Sequence, residues 1–174
     1  DLDIIYEDTD ILLINKPAGM LSQPDDTKEP SMVEYLIGYL LQNGSLTEEN
    51  LRTFHPSVCN RLDKNTSGVI AAGKSLAGLQ ELSTLFHDRT VHKDYLCIVK
   101  GKLTRSRHIR GYLHKDANLN KVSVSPTKEK DAQPIETQYT PICNNEHATL
   151  LKVRLITGRT HQIRAHLASE GHPL

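Results

Sequence analysis

The chain begins with short apolar runs separated by polar residues. Ile4-Ile5-Tyr6 and Ile11-Leu12-Leu13-Ile14 are divided by four polar residues, which predicts two strands joined as a hairpin. Ser31 followed three residues later by Glu34 has the spacing of a capping box, so we expect a helix of about a dozen residues from there to Gly44. The stretch that continues to Arg61 has no regular pattern.

A buried strand and a second helix are predicted in the middle of the chain. Val69 to Ala72 form a short apolar run, and Ser75 stands where a helix cap is expected. Apolar residues then recur at helical spacing and predict a stripe that faces the core, formed by Leu76, Leu79, Leu82 and Phe86.

The second half changes to an alternation of apolar and polar residues, which is typical of half-buried antiparallel strands. Such segments are Tyr95 to Val99, Ile109 to Leu113, Val122 to Ser125, Ile135 to Ile142 and Thr149 to Ile156. A last helix should begin near Thr160 and end at Gly171. The order of elements predicts an α+β fold, a mixed and largely antiparallel sheet with helices packed on it, in one domain spanning residues 1–174.

Composition narrows the class of protein. A hydrophobic fraction of 37% with 24% charged residues is that of a soluble globular chain, and no apolar run is long enough to span a bilayer. The acidic start lacks the features of a signal peptide, so a cytoplasmic location is expected. Three separated cysteines suggest neither disulfides nor a zinc site, and the nine histidines show no metal-binding spacing.

Charge gives no clear indication of a nucleic-acid partner. Lys plus Arg and Asp plus Glu both number 21, so the chain has no overall basic field. Basic residues do cluster locally, at Lys100, Lys102, Arg105, Arg107, Arg110 and Lys115. This segment is either a solvated loop or a contact for phosphate groups.

Asp63 is the first candidate for chemistry. It lies between Arg61 and Lys64 in a polar segment that leads into the predicted strand at Val69. Neighbouring cations favour the charged form of a carboxylate, which can then act as a nucleophile or a base. An aspartate in a polar loop is also a common turn residue, so the local sequence leaves both interpretations open.

Polar residues gather again in the segment Gly158-Arg159-Thr160-His161-Gln162-Ile163-Arg164. His161 and Arg164 are three apart and would share a helical face, while Ile163 and Leu167 could anchor the opposite face in the core. A helix N-terminus with Arg and His suits an anion such as a phosphate or a carboxylate. A solvated basic face is the alternative.

Tyr95 and the segment from Gly68 to Ser75 are two further candidates. Alternation places Tyr95 on one sheet face, where it is either a core tyrosine or a platform for an unstacked base. Gly68 to Ser75 satisfies the Walker A pattern of P-loop NTPases. That function is disfavoured because the residues between the glycines form the apolar run, whereas a P-loop follows its strand.

Four segments together resemble the RluA family of RNA pseudouridine synthases. Arg61 to Val69 is similar to the catalytic motif R-L-D-x-x-T-S-G, Lys93-Asp94-Tyr95 to a second motif, and Thr157 to His166 to the motif G-R-T-H-Q-I-R-x-H. Asn15 to Gly19 resembles the opening N-K-P-x-G. The segments occur in the family order and cover nearly the whole chain.

This resemblance implies a function and roles for residues. The protein would isomerise uridine in ribosomal large-subunit RNA, or in transfer RNA, with Asp63 as catalytic aspartate and Arg164 as its salt-bridge partner. Tyr95 would stack on the target base and can assist proton removal from C5. Arg61 would hold the flipped nucleotide, and Arg159 and His161 would contact RNA. No cofactor or metal is implied, and a monomer is the family expectation.

The resemblance also implies that this is part of a longer domain. Members continue beyond the position of Leu174 into further sheet, and many begin with a small S4-type RNA-binding domain. Asn60 stands where many members have histidine, and we expect little effect on chemistry from this difference. A non-catalytic RNA-binding domain, suggested by the basic residues from Lys100 to Lys115, is the remaining alternative.

Overall fold

The computed structural model describes residues 2–116 and 121–174, which form two α+β units, Asp1–Val91 and His92–Leu174. The predicted fold class is confirmed. In place of one mixed sheet, each unit has its own sheet, and all strands in both pair antiparallel. No helix among the described residues is long and apolar enough to cross a membrane.

The first unit contains a four-stranded sheet with the strand order β1-β2-β4-β3. Its elements are β1 (Ile4–Glu7), β2 (Ile11–Lys16), α1 (Met32–Gln42), a 3₁₀ turn (Asn50–Arg52), β3 (Ser57–Val58), β4 (Gly68–Gly73) and α2 (Leu76–His87). The hairpin, the capping box and the buried strand were all predicted. The 3₁₀ turn and β3 lie in the stretch that shows no sequence pattern.

Helix α1 packs on the sheet of the first unit and shares its hydrophobic core. Leu36 and Leu40 from the helix lie against Leu12, Ile14 and Ile70, and all five are essentially inaccessible to solvent. Burial of large aliphatic side chains contributes about 1.5–3 kcal/mol each to folding. This layer therefore provides the rigid support on which the loops of the unit are built.

Helix α2 begins as predicted but its apolar stripe is shorter than predicted. Ser75 caps the helix by accepting a hydrogen bond from the Gly78 amide at 3.1 Å. Leu82 is buried, whereas Leu76 is 60% exposed, so its assignment to the core was wrong. The first turn of the helix instead approaches the backbone through Gly78, whose Cα lies beside the carbonyl group of Asp10.

The second unit contains a five-stranded sheet with the strand order β5-β9-β8-β6-β7. Its elements are β5 (Lys93–Lys100), β6 (Arg107–Asp116), β7 (Lys121–Ser125), β8 (Gln133–Asn144), β9 (Ala148–Leu155) and α3 (Gln162–Ser169). All five strands and the last helix were predicted. Leu167 of α3 is fully buried against Ile109, Tyr139 and Val153, so the helix covers one face of this sheet.

The contact at Gly78 gives a test of the packing of α2. A Cβ atom there would stand 2.1 Å from the Asp10 carbonyl oxygen, whereas at Gly38 in α1 it would meet nothing within 4 Å. We expect Gly78→Ala to lower the free energy of unfolding by about 1–3 kcal/mol through overpacking. Gly38→Ala should raise it by about 0.5–1 kcal/mol, since alanine favours a helix. Urea unfolding measures both, and a stabilising Gly78→Ala would contradict this packing.

Candidate active site

Asp63 lies half-buried in the loop between β3 and β4. The backbone N–H and C=O groups of its neighbour Leu62 are both hydrogen-bonded. The Ser22 hydroxyl donates to the Leu62 carbonyl oxygen at 2.7 Å and accepts from the Leu62 amide at 3.0 Å. Ser22 is itself buried, at 5% exposure. One hydroxyl therefore satisfies the whole backbone of the residue before Asp63.

The residue after Asp63 is fixed by the segment that follows β2. The Lys64 carbonyl oxygen accepts hydrogen bonds from the Gly19 amide at 2.8 Å and from the Lys16 ammonium at 3.1 Å. The same ammonium donates to the carbonyl oxygens of Pro17 at 2.9 Å and Met20 at 2.8 Å. Lys16 thus joins the N-K-P-x-G segment to the Asp63 loop.

Lys16 is fully buried, and its charge interacts with that of Asp63. Burial lowers the pKa of Lys16, and the Asp63 carboxylate opposes this shift by favouring the charged ammonium. The sequence also places Arg61 and Lys64 beside Asp63 as flanking cations. Both are exposed, and Lys64 forms an ion pair with Glu29 at 2.6 Å.

Asn60 attaches the beginning of the Asp63 loop to β4. Its side-chain oxygen accepts from the Ala71 amide at 2.8 Å, and its side-chain nitrogen donates to the Val69 carbonyl oxygen at 3.1 Å. An amide side chain supplies one acceptor and one donor, which match the N–H and C=O groups that this strand presents. Ser22, Lys16 and Asn60 therefore position the loop, and sequence reasoning assigned none of these roles.

The segment Thr157 to Arg164 turns sharply before it becomes helical. His161 has a φ of 54°, in the left-handed region, and stands at the N-cap of α3. The prediction that His161 and Arg164 share a helical face was wrong for His161, because the helix begins at Gln162. Ile163 and Leu167 pack on the core as predicted. Arg159 and Arg164 are exposed and His161 is half-buried.

Two buried polar side chains hold this segment to the sheet. Gln162 and His166 are each 2% exposed, and both bond the Thr137 hydroxyl of β8, at 3.0 Å in each case. Burial lowers the pKa of His166, while the Glu170 carboxylate and a hydrogen bond to the Arg110 backbone oppose the shift. A neutral imidazole is therefore part of the native packing.

Tyr95 lies on the same face of its sheet as α3. Together with Cys97 it packs partly on the core, whereas Leu96 and Ile98 on the opposite face are 68% and 65% exposed. The alternation predicted for β5 is confirmed. Tyr95 and α3 thus occupy one side of the second unit. The pairing of Asp63 with Arg164 stays a prediction.

The basic residues from Lys100 to Lys115 do not form one loop. Arg107 and Arg110 lie in β6, where Arg107 pairs with Glu170 and Arg110 with Glu136 at 3.1 Å. Lys102 pairs with Glu146 at 2.5 Å. Much of this positive charge is therefore balanced by nearby carboxylates. Within residues 2–116 and 121–174, no three metal-ligating side chains stand together.

The Walker A pattern does not form a phosphate-binding loop. Gly68–Gly73 is strand β4, and it is paired along its whole length with β2. The Lys74 ammonium donates to Glu7 at 2.6 Å and to the Asp8 carbonyl oxygen at 2.7 Å. A P-loop NTPase is therefore excluded as a reading of this segment.

Comparisons with known proteins agree with this fold and these motifs. Residues 10–169 match the RNA pseudouridylate synthase family. "Ribosomal large subunit pseudouridine synthase D" of Borreliella burgdorferi is 35% identical over 98% of this chain and 52% of its own length. "Uncharacterized RNA pseudouridine synthase YhcT" of Bacillus subtilis is 35% identical over 100% of this chain and 56% of its own length.

Solved structures show the same fold. Human RNA pseudouridylate synthase domain containing 4 superposes with a TM-score of 0.77 at 22% identity, over 98% of this chain and 65% of that one. The fold and the motifs are those of the RNA pseudouridylate synthases. The chain belongs to the RluA-type family of RNA pseudouridylate synthases. It spans about half the length of the curated relatives that it matches.

The buried ammonium of Lys16 gives a stability test of the Asp63 loop. We expect Lys16→Met to lower the free energy of unfolding by about 2–4 kcal/mol, because three carbonyl groups lose a charged donor. Lys64→Met is the matched control, since its pair with Glu29 is about half exposed and should contribute under about 1 kcal/mol. Equal losses in urea unfolding would contradict the role of Lys16.

The lowered pKa of His166 gives a pH test of the second unit. The folded state binds this proton less tightly than the unfolded chain, whose histidine pKa is about 6.5. The stability that neutral His166 provides is thus complete above that value and is lost as the pH falls below it.

The difference in unfolding free energy between wild type and His166→Gln should therefore shrink between about pH 8 and about pH 5. His55→Gln is the control, because His55 is exposed and its removal should leave the pH dependence of wild type in place. A constant difference between wild type and His166→Gln would contradict the prediction.

Proposed function

We propose that the protein is a pseudouridine synthase that isomerises specific uridines in ribosomal large-subunit RNA or transfer RNA, with Asp63 as its catalytic carboxylate. The observation that carries the proposal is the fixation of the loop on both sides of Asp63 by Ser22 and Lys16. Buried polar side chains that hold the residues before and after Asp63 define the position of the backbone between them. Membership in the family and relatives named for large-subunit RNA support the substrate class.

The reaction changes the atom through which uracil is attached to its ribose. The bond between N1 and C1′ breaks, the base rotates, and a bond forms between C5 and C1′. The C5 proton is lost and N1 gains one, so atoms and electrons balance without a redox partner or a phosphoryl donor. Asp63 serves by attack on the base, by attack on the sugar, or as a base towards the sugar. Each route uses an ionised carboxylate.

The Lys16 ammonium supplies a fixed positive charge that interacts with this carboxylate. It is buried near Asp63, and its own pKa is affected by the Asp63 charge. A cation held by carbonyl groups cannot move away when the carboxylate changes its partners during the reaction. Lys16 thus provides a fixed electrostatic environment, which needs little reorganisation at the moment of reaction.

The target base must leave its stack before any of these steps, because its reacting edge is inaccessible inside a helix. Tyr95 provides an aromatic ring for stacking on the extruded base. Arg61 holds the flipped nucleotide, and Arg164 forms an ion pair with Asp63. Exposed Arg159 and half-buried His161 contact the RNA backbone beside the N-terminus of α3. We further propose that the protein acts in the cytoplasm as a monomer without cofactor.

Substitution of Asp63 tests the proposal in a strain that lacks the gene. We expect one or more pseudouridines in ribosomal or transfer RNA to disappear on deletion and to return with the protein expressed from its own gene. Asp63→Asn should abolish their return because it removes the carboxylate but keeps the side-chain shape. Asp26→Asn, at an exposed turn residue, should restore them fully. Sequencing of chemically labelled pseudouridine maps each position.

Purified protein separates catalysis from binding. Asp63→Asn should bind the identified RNA within about threefold of wild type, because phosphate contacts dominate affinity. The alternative function, a non-catalytic RNA-binding domain, predicts salt-dependent binding with no change in any pseudouridine on deletion. Restoration of pseudouridine by Asp63→Asn would contradict the assignment of the catalytic residue.

A further inference from the structure

Gln162 closes the turn that precedes α3. Its side-chain oxygen accepts hydrogen bonds from the Arg159 amide at 3.0 Å and from the Thr157 hydroxyl at 2.9 Å. Its side-chain nitrogen donates to the Glu136 carbonyl oxygen at 3.1 Å and to the Thr137 hydroxyl at 3.0 Å. All four hydrogen-bonding positions of the amide are therefore used. The partners also fix its orientation, since the Arg159 amide must meet the oxygen.

The Thr137 hydroxyl extends this arrangement into the helix. It accepts from Gln162 and lies 3.0 Å from Nδ1 of His166, to which it can donate when the imidazole is neutral. The other side of the imidazole is engaged by the Arg110 backbone. A continuous chain of buried hydrogen bonds thus runs from the turn, through β8, to the middle of α3.

The residues that this chain holds are those with proposed contacts to RNA. His161 lies between the two ends of the turn and has a left-handed backbone, which residues other than glycine adopt at a cost. Such a conformation persists only where its surroundings impose it. The Gln162 amide imposes it by tying Thr157 and Arg159, before His161, to the first residue of the helix after it.

We propose that Gln162 is a positioning residue for pseudouridine formation, which acts by holding the turn at residues 157–161 so that Arg159, His161 and Arg164 are correctly directed. The inference rests on the proposed function. A shift of about 1 Å in a group that contacts the substrate can lower the rate about a hundredfold. Gln162 itself is buried and contacts neither base nor ribose.

Gln162→Glu is the sharpest substitution because it keeps the size and both acceptor contacts. It replaces the donor towards Glu136 and Thr137 by an acceptor, so one carboxylate oxygen would face the Glu136 carbonyl oxygen and the Thr137 hydroxyl oxygen. We expect kcat to fall about a hundredfold and KM to stay within about threefold, since the variant is misdirected for reaction rather than for binding. Gln138→Glu, at an exposed position in β8, makes the same chemical change and should retain wild-type values.

Substitutions of Thr137 test the same chain of hydrogen bonds without changing charge. Thr137→Val removes the hydroxyl but preserves the shape, and we expect a loss of kcat similar to that of Gln162→Glu. Thr137→Ser keeps the hydroxyl and should restore kcat to within about threefold of wild type. This pair keeps the inference testable if Gln162→Glu does not fold.

A measurement independent of activity follows the turn directly. Trypsin cleaves after Arg159, which is exposed, and the rate of cleavage of that bond reports local opening of the turn. It should be faster in Gln162→Glu than in wild type or Gln138→Glu, under conditions where global unfolding is equal.

The outcomes separate this inference from the proposed function. Absence of pseudouridine formation by wild type overturns the proposed function, and with it the positioning role. An active wild type together with unchanged kcat in Gln162→Glu and Thr137→Val overturns the positioning role alone. If the unfolded fraction fully accounts for the loss of kcat, and Thr137→Ser does not restore it, Gln162 is merely structural. That result also overturns the positioning role.

Discussion

The first unit depends on the requirement that the buried ammonium of Lys16 be given acceptors. A lysine charge removed from water is unfavourable by several kcal/mol unless hydrogen bonds replace its hydration. Three backbone carbonyl groups do so, from Pro17, Met20 and Lys64. The first two belong to the segment after β2 and the third to the Asp63 loop. Satisfying one cation therefore forces two distant parts of the chain into a single arrangement, beside the carboxylate of Asp63.

The second unit also contains buried polar side chains that need hydrogen-bond partners, but these side chains are neutral. Gln162 and His166 are buried although their side chains are polar, and each would destabilise the fold if its polar atoms were unpaired. Their mutual partner, the Thr137 hydroxyl, both accepts and donates, so it connects them. In both units, residues with proposed catalytic or RNA-binding roles are close in sequence or structure to buried polar residues that set the backbone. A proposed site on a loop or at a helix end gains definition in this way, although it lies outside the hydrophobic core.

A structural feature could be predicted from the sequence when its cause lies in neighbouring residues. The capping box at Ser31 and the strand at Val69 follow from neighbouring residues, and both were predicted correctly. Leu76 was assigned wrongly because periodicity cannot show that no element covers the first turn of α2. The left-handed His161 was missed because its conformation is imposed by a side chain that reaches back to Arg159.

The candidate site shows the same division. Local chemistry left Asp63 as either a turn residue or a catalytic group, and only three further segments in family order favoured catalysis. Lysine is rarely buried in proteins, so nothing in the sequence around Lys16 indicated its position. Asn60 was considered only for its effect on chemistry, and the match of its amide to the backbone groups of β4 was not predicted. These roles depend on contacts between residues far apart in sequence, which patterns of spacing cannot reveal.

The Walker A match at Gly68 to Ser75 shows why a motif must be judged by its backbone. A phosphate-binding loop works because consecutive amide groups are left without partners and converge on an anion. In β4 the residues between the two glycines are instead paired in register with Asn15 to Leu12 of β2, so the strand uses its amides in the sheet. The lysine that would neutralise a phosphate is already bound to Glu7. The sequence agrees with the Walker A pattern, but the groups that would bind a phosphate are already hydrogen-bonded within the protein.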